Sequence, residues 1–141
     1  MEKRPVLIHL ESVQTQGDGT ERVEQDLTGT LLTLEQGWAL SYREPEASGL
    51  GETRTTLTVA PGKVILTREG ETACRMVFRA GRRTLADYRT PYGRFDLEIL
   101  TRRVSACLED GAGQVELVYS LSLGGGEPGE TRLILTFREE E

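Results

Sequence analysis

The sequence predicts an all-β protein, an antiparallel up-and-down barrel of about ten strands, and three observations carry that prediction. Apolar residues recur with a period of two, glycine or proline occupies nearly every gap between the runs, and no window shows a 3.6-residue apolar period with capping residues. Val115-Glu116-Leu117-Val118-Tyr119-Ser120-Leu121-Ser122-Leu123 is the clearest run. A pleated strand turns alternate side chains to opposite faces, so Val115, Leu117, Tyr119, Leu121 and Leu123 share one side.

Taken in order, Val6, Ile8 and Leu10 share a face before a turn at Gly17-Asp18-Gly19. The next run, from about Thr20 to Leu34, begins with Val23, Gln25 and Leu27 in phase and passes to Leu32 and Leu34. A glycine at a phase change marks a β-bulge, so one is expected at Gly29. Gln36-Gly37 leads into Trp38, Leu40 and Tyr42, and Ala60-Pro61-Gly62-Lys63 has the central Pro-Gly of a type II turn between Thr53-to-Val59 and Val64-to-Arg68. Glu69-Gly70 precedes Cys74, Met76 and Phe78, Ala80-Gly81 precedes Thr84-to-Arg89, and Thr90-Pro91-Tyr92-Gly93 reverses the chain again. Between Arg94 and Glu109 the apolar parity changes from Phe95, Leu97 and Ile99 to Val104, Ala106 and Leu108, which predicts a second bend near Thr101-Arg102-Arg103. Asp110-to-Gly113 and Gly124-to-Gly129 bracket the opening example, and Leu133, Leu135 and Phe137 alternate in the last strand.

Short turns make successive strands antiparallel neighbours, and closure removes the two edges a ten-stranded sheet would expose. A two-sheet sandwich is the alternative. In a meander alternate turns share an end, which places the two longest connections, residues 44–52 and 124–130, together with Thr90-to-Gly93. If the barrel has a mouth, that end is the better candidate. Residues 1–141 are read as one domain.

Composition narrows the function classes. With 17 Lys+Arg against 23 Asp+Glu, the net charge is −6 and the signs are interspersed, so no DNA partner and no anionic membrane surface is expected. No segment reaches the roughly 18 consecutive apolar residues of a membrane-spanning helix, and the start lacks a signal-peptide pattern, so the expected location is cytoplasmic. Glu139-Glu140-Glu141 is expected to be a frayed, solvated end. Cys74 and Cys107 fall on opposite parities, which argues against a disulfide.

Chemistry is sparse. His9 alternates with Ile8 and Leu10 and should face outward, no cluster in the sequence has metal-ligand spacing, and no cofactor is indicated. Asp96 and Glu98 share a strand face with each other but oppose Phe95, Leu97 and Ile99, so they read as solvated rather than as a catalytic pair. There is no nucleophile elbow, and Gly124-Gly125-Gly126 lacks the lysine and helix of a phosphate loop. No catalytic residue is assigned. Trp38, Tyr42, Tyr88, Tyr92 and Tyr119 read first as core or rim aromatics, and secondly as the lining of a pocket. Arg68, Arg75 and Arg89 are candidates to clamp an anion there, with Arg75 pointing outward by parity. The candidate ligand-binding set is therefore Trp38, Tyr42, Arg68, Tyr88, Arg89, Tyr92 and Tyr119.

Several segments in order resemble a YwiB-like family of uncharacterised bacterial proteins with a calycin-like, lipocalin-related barrel. They are Thr28-Gly29-Thr30-Leu31, Trp38-x-Leu40-x-Tyr42-x-Glu44, Gly49-Leu50-Gly51-Glu52-Thr53-x-Thr55, Leu66-x-Arg68-x-Gly70, Met76-x-Phe78, Tyr88-x-Thr90-x-Tyr92-Gly93 and Leu117-x-Tyr119-x-Leu121. Trp38 stands where a tyrosine-like aromatic is expected. The resemblance implies the fold and a cytoplasmic bacterial protein, and it brings no catalytic residues.

Two readings of function follow. The first is a non-enzymatic barrel that holds a small, partly apolar ligand at the long-loop mouth. The second is a solid barrel that binds a protein, or less readily RNA, through an outer patch of Arg68, Arg89 and Tyr92. An enzyme ranks third. A hollow or a filled interior separates the first two.

Overall fold

The computed structural model describes residues 2–140, which form ten antiparallel strands in one sheet. They are β1 (Glu2–Gln16), β2 (Gly19–Leu34), β3 (Gly37–Arg43), β4 (Thr53–Ala60), β5 (Lys63–Gly70), β6 (Cys74–Phe78), β7 (Arg83–Thr90), β8 (Gly93–Glu109), β9 (Ala112–Leu123) and β10 (Gly129–Glu139). Among the described residues helix is limited to a 3₁₀ turn, Glu46–Ser48, in the β3–β4 connection.

The strand order is β6-β5-β4-β3-β2-β1-β10-β9-β8-β7. Every neighbour is consecutive in sequence except β1 and β10, which pair from Val6↔Glu139 to Thr15↔Glu130 and close the wall between the two ends of the chain. The remaining seam lies between β6 and β7. There Ala73 and Arg89 form a single isolated bridge, and Thr84 Oγ1 donates to Val77 O at 2.8 Å. The barrel is nearly closed.

Local sequence explains most turns. Gly62 takes φ of +73°, the left-handed value that the Pro61-Gly62 turn requires. The bend expected near Thr101 is present as a register shift between Thr101 and Arg103, which lets Phe95-to-Ile99 and Val104-to-Leu108 use opposite parities on one strand. The bulge expected at Gly29 does not form: the β1–β2 register runs unbroken from Glu2↔Thr33 to Gln16↔Gly19. Leu31, 2% exposed, is the inward residue, and Leu32 and Leu34 lie half-buried on the other face. Gly29 serves a different need. A Cβ there would fall 2.5 Å from the Ser41 carbonyl oxygen and 2.6 Å from Ile8 Cδ1, so the glycine permits close approach within the wall.

The acidic end also differs from expectation. Glu139 belongs to β10 and pairs with Arg4 at 2.6 Å, and Glu140 N donates to Pro5 O. Pairing with β1 orders these residues; Glu141 lies outside the described residues.

The interior is layered by cross-strand register. Trp38, Val59, Val64 and Phe78 stand side by side on β3 to β6 nearest the short turns, and Leu40, Leu57, Leu66 and Met76 form the next row. Leu135 with Val115, then Leu133 with Leu117, continue these layers on the opposite wall. Trp38 and Phe137 pack with ring centroids 5.2 Å apart. Most of these side chains are almost wholly buried, each aliphatic one contributing roughly 1.5–3 kcal/mol of burial. This end of the barrel is filled. Phe95 is not part of the filling and is 37% exposed.

Candidate mouth cavity

One layer further on, the character of the inward row changes. Tyr42, Thr55, Arg68 and Cys74 are paired in succession across β3, β4, β5 and β6. Opposite them, Thr131 pairs with Tyr119, and Tyr119 pairs with Thr101. On three strands the inward stripe passes from apolar to polar toward this end: Val64, Leu66, Arg68 on β5; Val59, Leu57, Thr55 on β4; Leu135, Leu133, Thr131 on β10.

Above this layer a cavity of about 750 Å³ opens at the long-loop end. Its walls carry Met76, Tyr88, Leu97, Tyr119 and Leu121, with Arg68 beside them. The β1–β2 hairpin supplies Gln14 to Gln16 and Gly19 to Glu21, the β3–β4 connection supplies Ser48 and Leu50, and the β9–β10 loop supplies Glu127. The volume lies within the roughly 300–1,000 Å³ common for small-molecule sites.

Arg68 is the one cation among the residues lining this cavity. Its side chain is 19% exposed, and its Nε stands 3.9 Å from Glu44 Oε2, too far for a hydrogen bond. Nε is buried without a hydrogen-bond partner. Glu44, whose side chain is 5% exposed, accepts instead from the Thr55 hydroxyl. Burial works against the charge on Arg68, but Glu44 and the surrounding Cys74, Tyr42 and Tyr119 outweigh it, so the guanidinium stays protonated.

The neighbouring acids respond to the same surroundings. Burial, then the negative charge of Glu44, pushes the Tyr42 phenol well above its ordinary value. Burial also raises Cys74, Tyr88 and Tyr119, with Arg68 opposing the rise in each case. A thiol held protonated is a poor nucleophile, so Cys74 has the character of a buried wall residue. Cys107 is exposed and both cysteines are free.

The candidate residues read from the sequence separate into three places. Arg68, Tyr88 and Tyr119 line the cavity, and Tyr42 lies in the layer beneath it. Trp38 belongs to the filled end, against Phe137. Arg89 is exposed and Tyr92 is 94% exposed, both away from the cavity lining, while Arg75 is exposed as its parity requires. Sequence reasoning missed Glu44, Thr55, Met76, Leu97, Leu121 and Thr131. The signal for part of this set was available: polar residues at inward parity near one end of otherwise apolar stripes.

Elsewhere, pairing of β1 with β2 gathers His9, Glu11 and Glu24 so that one ligand atom of each lies within 4.8 Å of the others. Linear spacing does not reveal this group, because the residues meet across strands. His9 Nδ1 contacts Asp26 at 2.8 Å and Nε2 contacts Glu24 at 2.9 Å, while Glu11 accepts from Arg22 at 3.2 Å. These partners raise the pKa of His9, foremost the hydrogen bond to Asp26. The group forms an exposed polar network on the outer wall.

Comparison with known proteins places the chain. Residues 8–135 match a family described as a domain of unknown function, DUF1934. The chain belongs to this family. It is similar to the uncharacterized beta-barrel protein YwiB of Bacillus subtilis, at 24% identity over 136 residues, covering 96% of this chain and 94% of that protein. The crystal structure of that protein superposes with a TM-score of 0.88 over 99% of this chain and 94% of the other, which shows the same fold. Membership in DUF1934 brings no activity with it.

Proposed function

We propose that this member of DUF1934 is a non-enzymatic, calycin-like barrel that binds a small, partly apolar ligand in the cavity at its long-loop end. The observation that carries the reading is the change of filling along the axis. Aromatic and aliphatic layers fill one end, with Met76 of the second row at the floor of the cavity, whereas Tyr88, Leu97 and Leu121 toward the other end border open space. Apolar walls with a few convergent polar groups are what a small-molecule site requires. The alternative of a solid scaffold has less support, since Arg68 faces inward while Arg89 and Tyr92 are exposed, so the three do not make one outer patch. A cytoplasmic location accords with two free cysteines. Among the described residues no helix is long and apolar enough to cross a membrane.

The test is titration with the neutral fluorescent probe N-phenylnaphthylamine. Saturable one-to-one enhancement is expected for the wild type and its loss for Leu121→Trp, which fills the cavity, provided circular dichroism shows that variant folded. No saturable enhancement in the wild type would overturn the reading.

A further inference from the structure

We infer that the ligand carries a single carboxylate and enters head-first, with that group bound by the Arg68 guanidinium at the inner end of the mouth cavity. The inference rests on the cavity reading above and names the class of ligand. A guanidinium offers five N–H donors, and leaving such groups without partners in a low-dielectric site costs free energy. Arg68 is placed so that its needs are only partly met. Its nearest carboxylate, Glu44, is 3.9 Å from Nε, and Nε itself is buried without a partner. Glu44 is committed to the Thr55 hydroxyl instead.

A structural ion pair would bring the two groups to hydrogen-bond distance and close around them. Here the pair sits beside open volume bounded by Met76, Leu97, Leu121 and Tyr88. Those walls suit an alkyl or aromatic body, and the cation suits an acceptor with two oxygens in the fork geometry that arginine matches. The charges nearby restrict the ligand to one negative group. Glu44 already offsets part of the charge on Arg68, and Glu21, Glu127 and Glu130 stand on the rim. A second anionic group at the far end of the ligand would meet those rim carboxylates, so dianions are disfavoured.

The experiment is titration of isotopically labelled protein by amide and methyl NMR with octanoate, octanol and octanedioate. The wild type is expected to bind octanoate at least about tenfold more tightly than octanol, the usual worth of a charge-assisted hydrogen bond, and octanedioate more weakly than octanoate. Arg68→Gln should weaken octanoate far more than octanol and bring the two to a similar level. Glu44→Gln, which removes a competing negative charge and keeps the acceptor for Thr55, should tighten octanoate and leave octanol unchanged. Either variant suffices if the other does not fold. Equal affinity for octanoate and octanol in the wild type, or no selective response to both variants, overturns the carboxylate assignment while leaving the cavity reading intact. No shift with any probe, together with no N-phenylnaphthylamine signal, overturns the cavity reading itself.

Discussion

Ala73 and Arg89 exchange both backbone hydrogen bonds across the gap between β6 and β7, at 2.8 and 2.9 Å. Among the described residues no ladder joins β6 to β7 beyond that bridge, and the Thr84 side chain reaches Val77 O across the gap. Backbone groups without a ladder partner exchange with solvent through smaller openings. Native-state hydrogen exchange should therefore find lower protection in β6 and β7 than in β1 and β10. Thr84→Val should cost about 1 kcal/mol, the net worth of its hydrogen bond, and increase that difference. Uniform protection around the sheet would contradict a seam at this place.

Gly29 is fixed by space. Gly29→Ala would press a methyl group against the Ser41 carbonyl oxygen and Ile8, and the backbone oxygen cannot move aside cheaply. The expected loss is about 1–3 kcal/mol, measured as a lower urea midpoint. Gly19→Ala, whose new Cβ would meet only Gln16 O at 3.5 Å, should change the midpoint little.

The filled end holds the stability. Phe78 is 0% exposed and packs on Tyr119 with centroids 4.7 Å apart, so Phe78→Ala should cost about 3–5 kcal/mol. Leu85, 79% exposed, should tolerate alanine with a change below about 0.5 kcal/mol. Comparable losses from the two variants in chemical denaturation would refute this division.

Arg68 and Glu44 should contribute little to stability as a pair. Removing only Arg68 leaves Glu44 buried without its cation, which is costly; removing both charges together relieves that cost. Arg68→Met with Glu44→Gln should accordingly be at least as stable as the wild type, and more stable than Arg68→Met alone. A double variant less stable than either single variant would show that the pair stabilises the fold.

Alkali should weaken the protein in a defined direction. Tyr42, Tyr88 and Tyr119 have folded pKa values raised above the unfolded value of about 10. A raised acid binds its proton more tightly when folded, so this contribution is complete below about pH 10 and is lost as pH climbs through the folded values. The urea midpoint should fall from about pH 9 to about pH 11, and Tyr119→Phe should make the fall shallower. A midpoint unchanged over that interval would exclude the effect.

Strand alternation made most of the wall legible in the sequence, because a half-buried strand repeats every two residues and its errors are visible as parity changes. The change between Ile99 and Val104 did correspond to an extra residue in β8. The apparent change at Gly29 came from the adjacent apolar pair Leu31-Leu32, one inward and one half-buried outward, and periodicity alone cannot distinguish that case from a bulge. Closure through β1 and β10 was equally hidden, since no local pattern states which two strands leave the seam.

The cavity was legible only in outline. Loop lengths pointed to its end, and Arg68, Tyr88 and Tyr119 were among the residues named, but Tyr92 was drawn in by being aromatic and Arg89 by its charge. Exposure depends on which way a turn projects, and Tyr92 sits on the two-residue β7–β8 turn. Glu44 stood in a segment that carried the family resemblance but not among the candidate binding residues, because it follows the end of β3, where strand parity no longer assigns a face.

A barrel packed at one end and open at the other has its two halves under different obligations. Replacement of Trp38, Phe78, Leu97 or Leu117 is constrained by shape, whereas Leu121, Leu123 and the loop residues around them can change size or polarity at smaller cost to folding. Proteins of this architecture can therefore vary at the open rim while keeping the packed end, and sequence drift between relatives should concentrate at that rim.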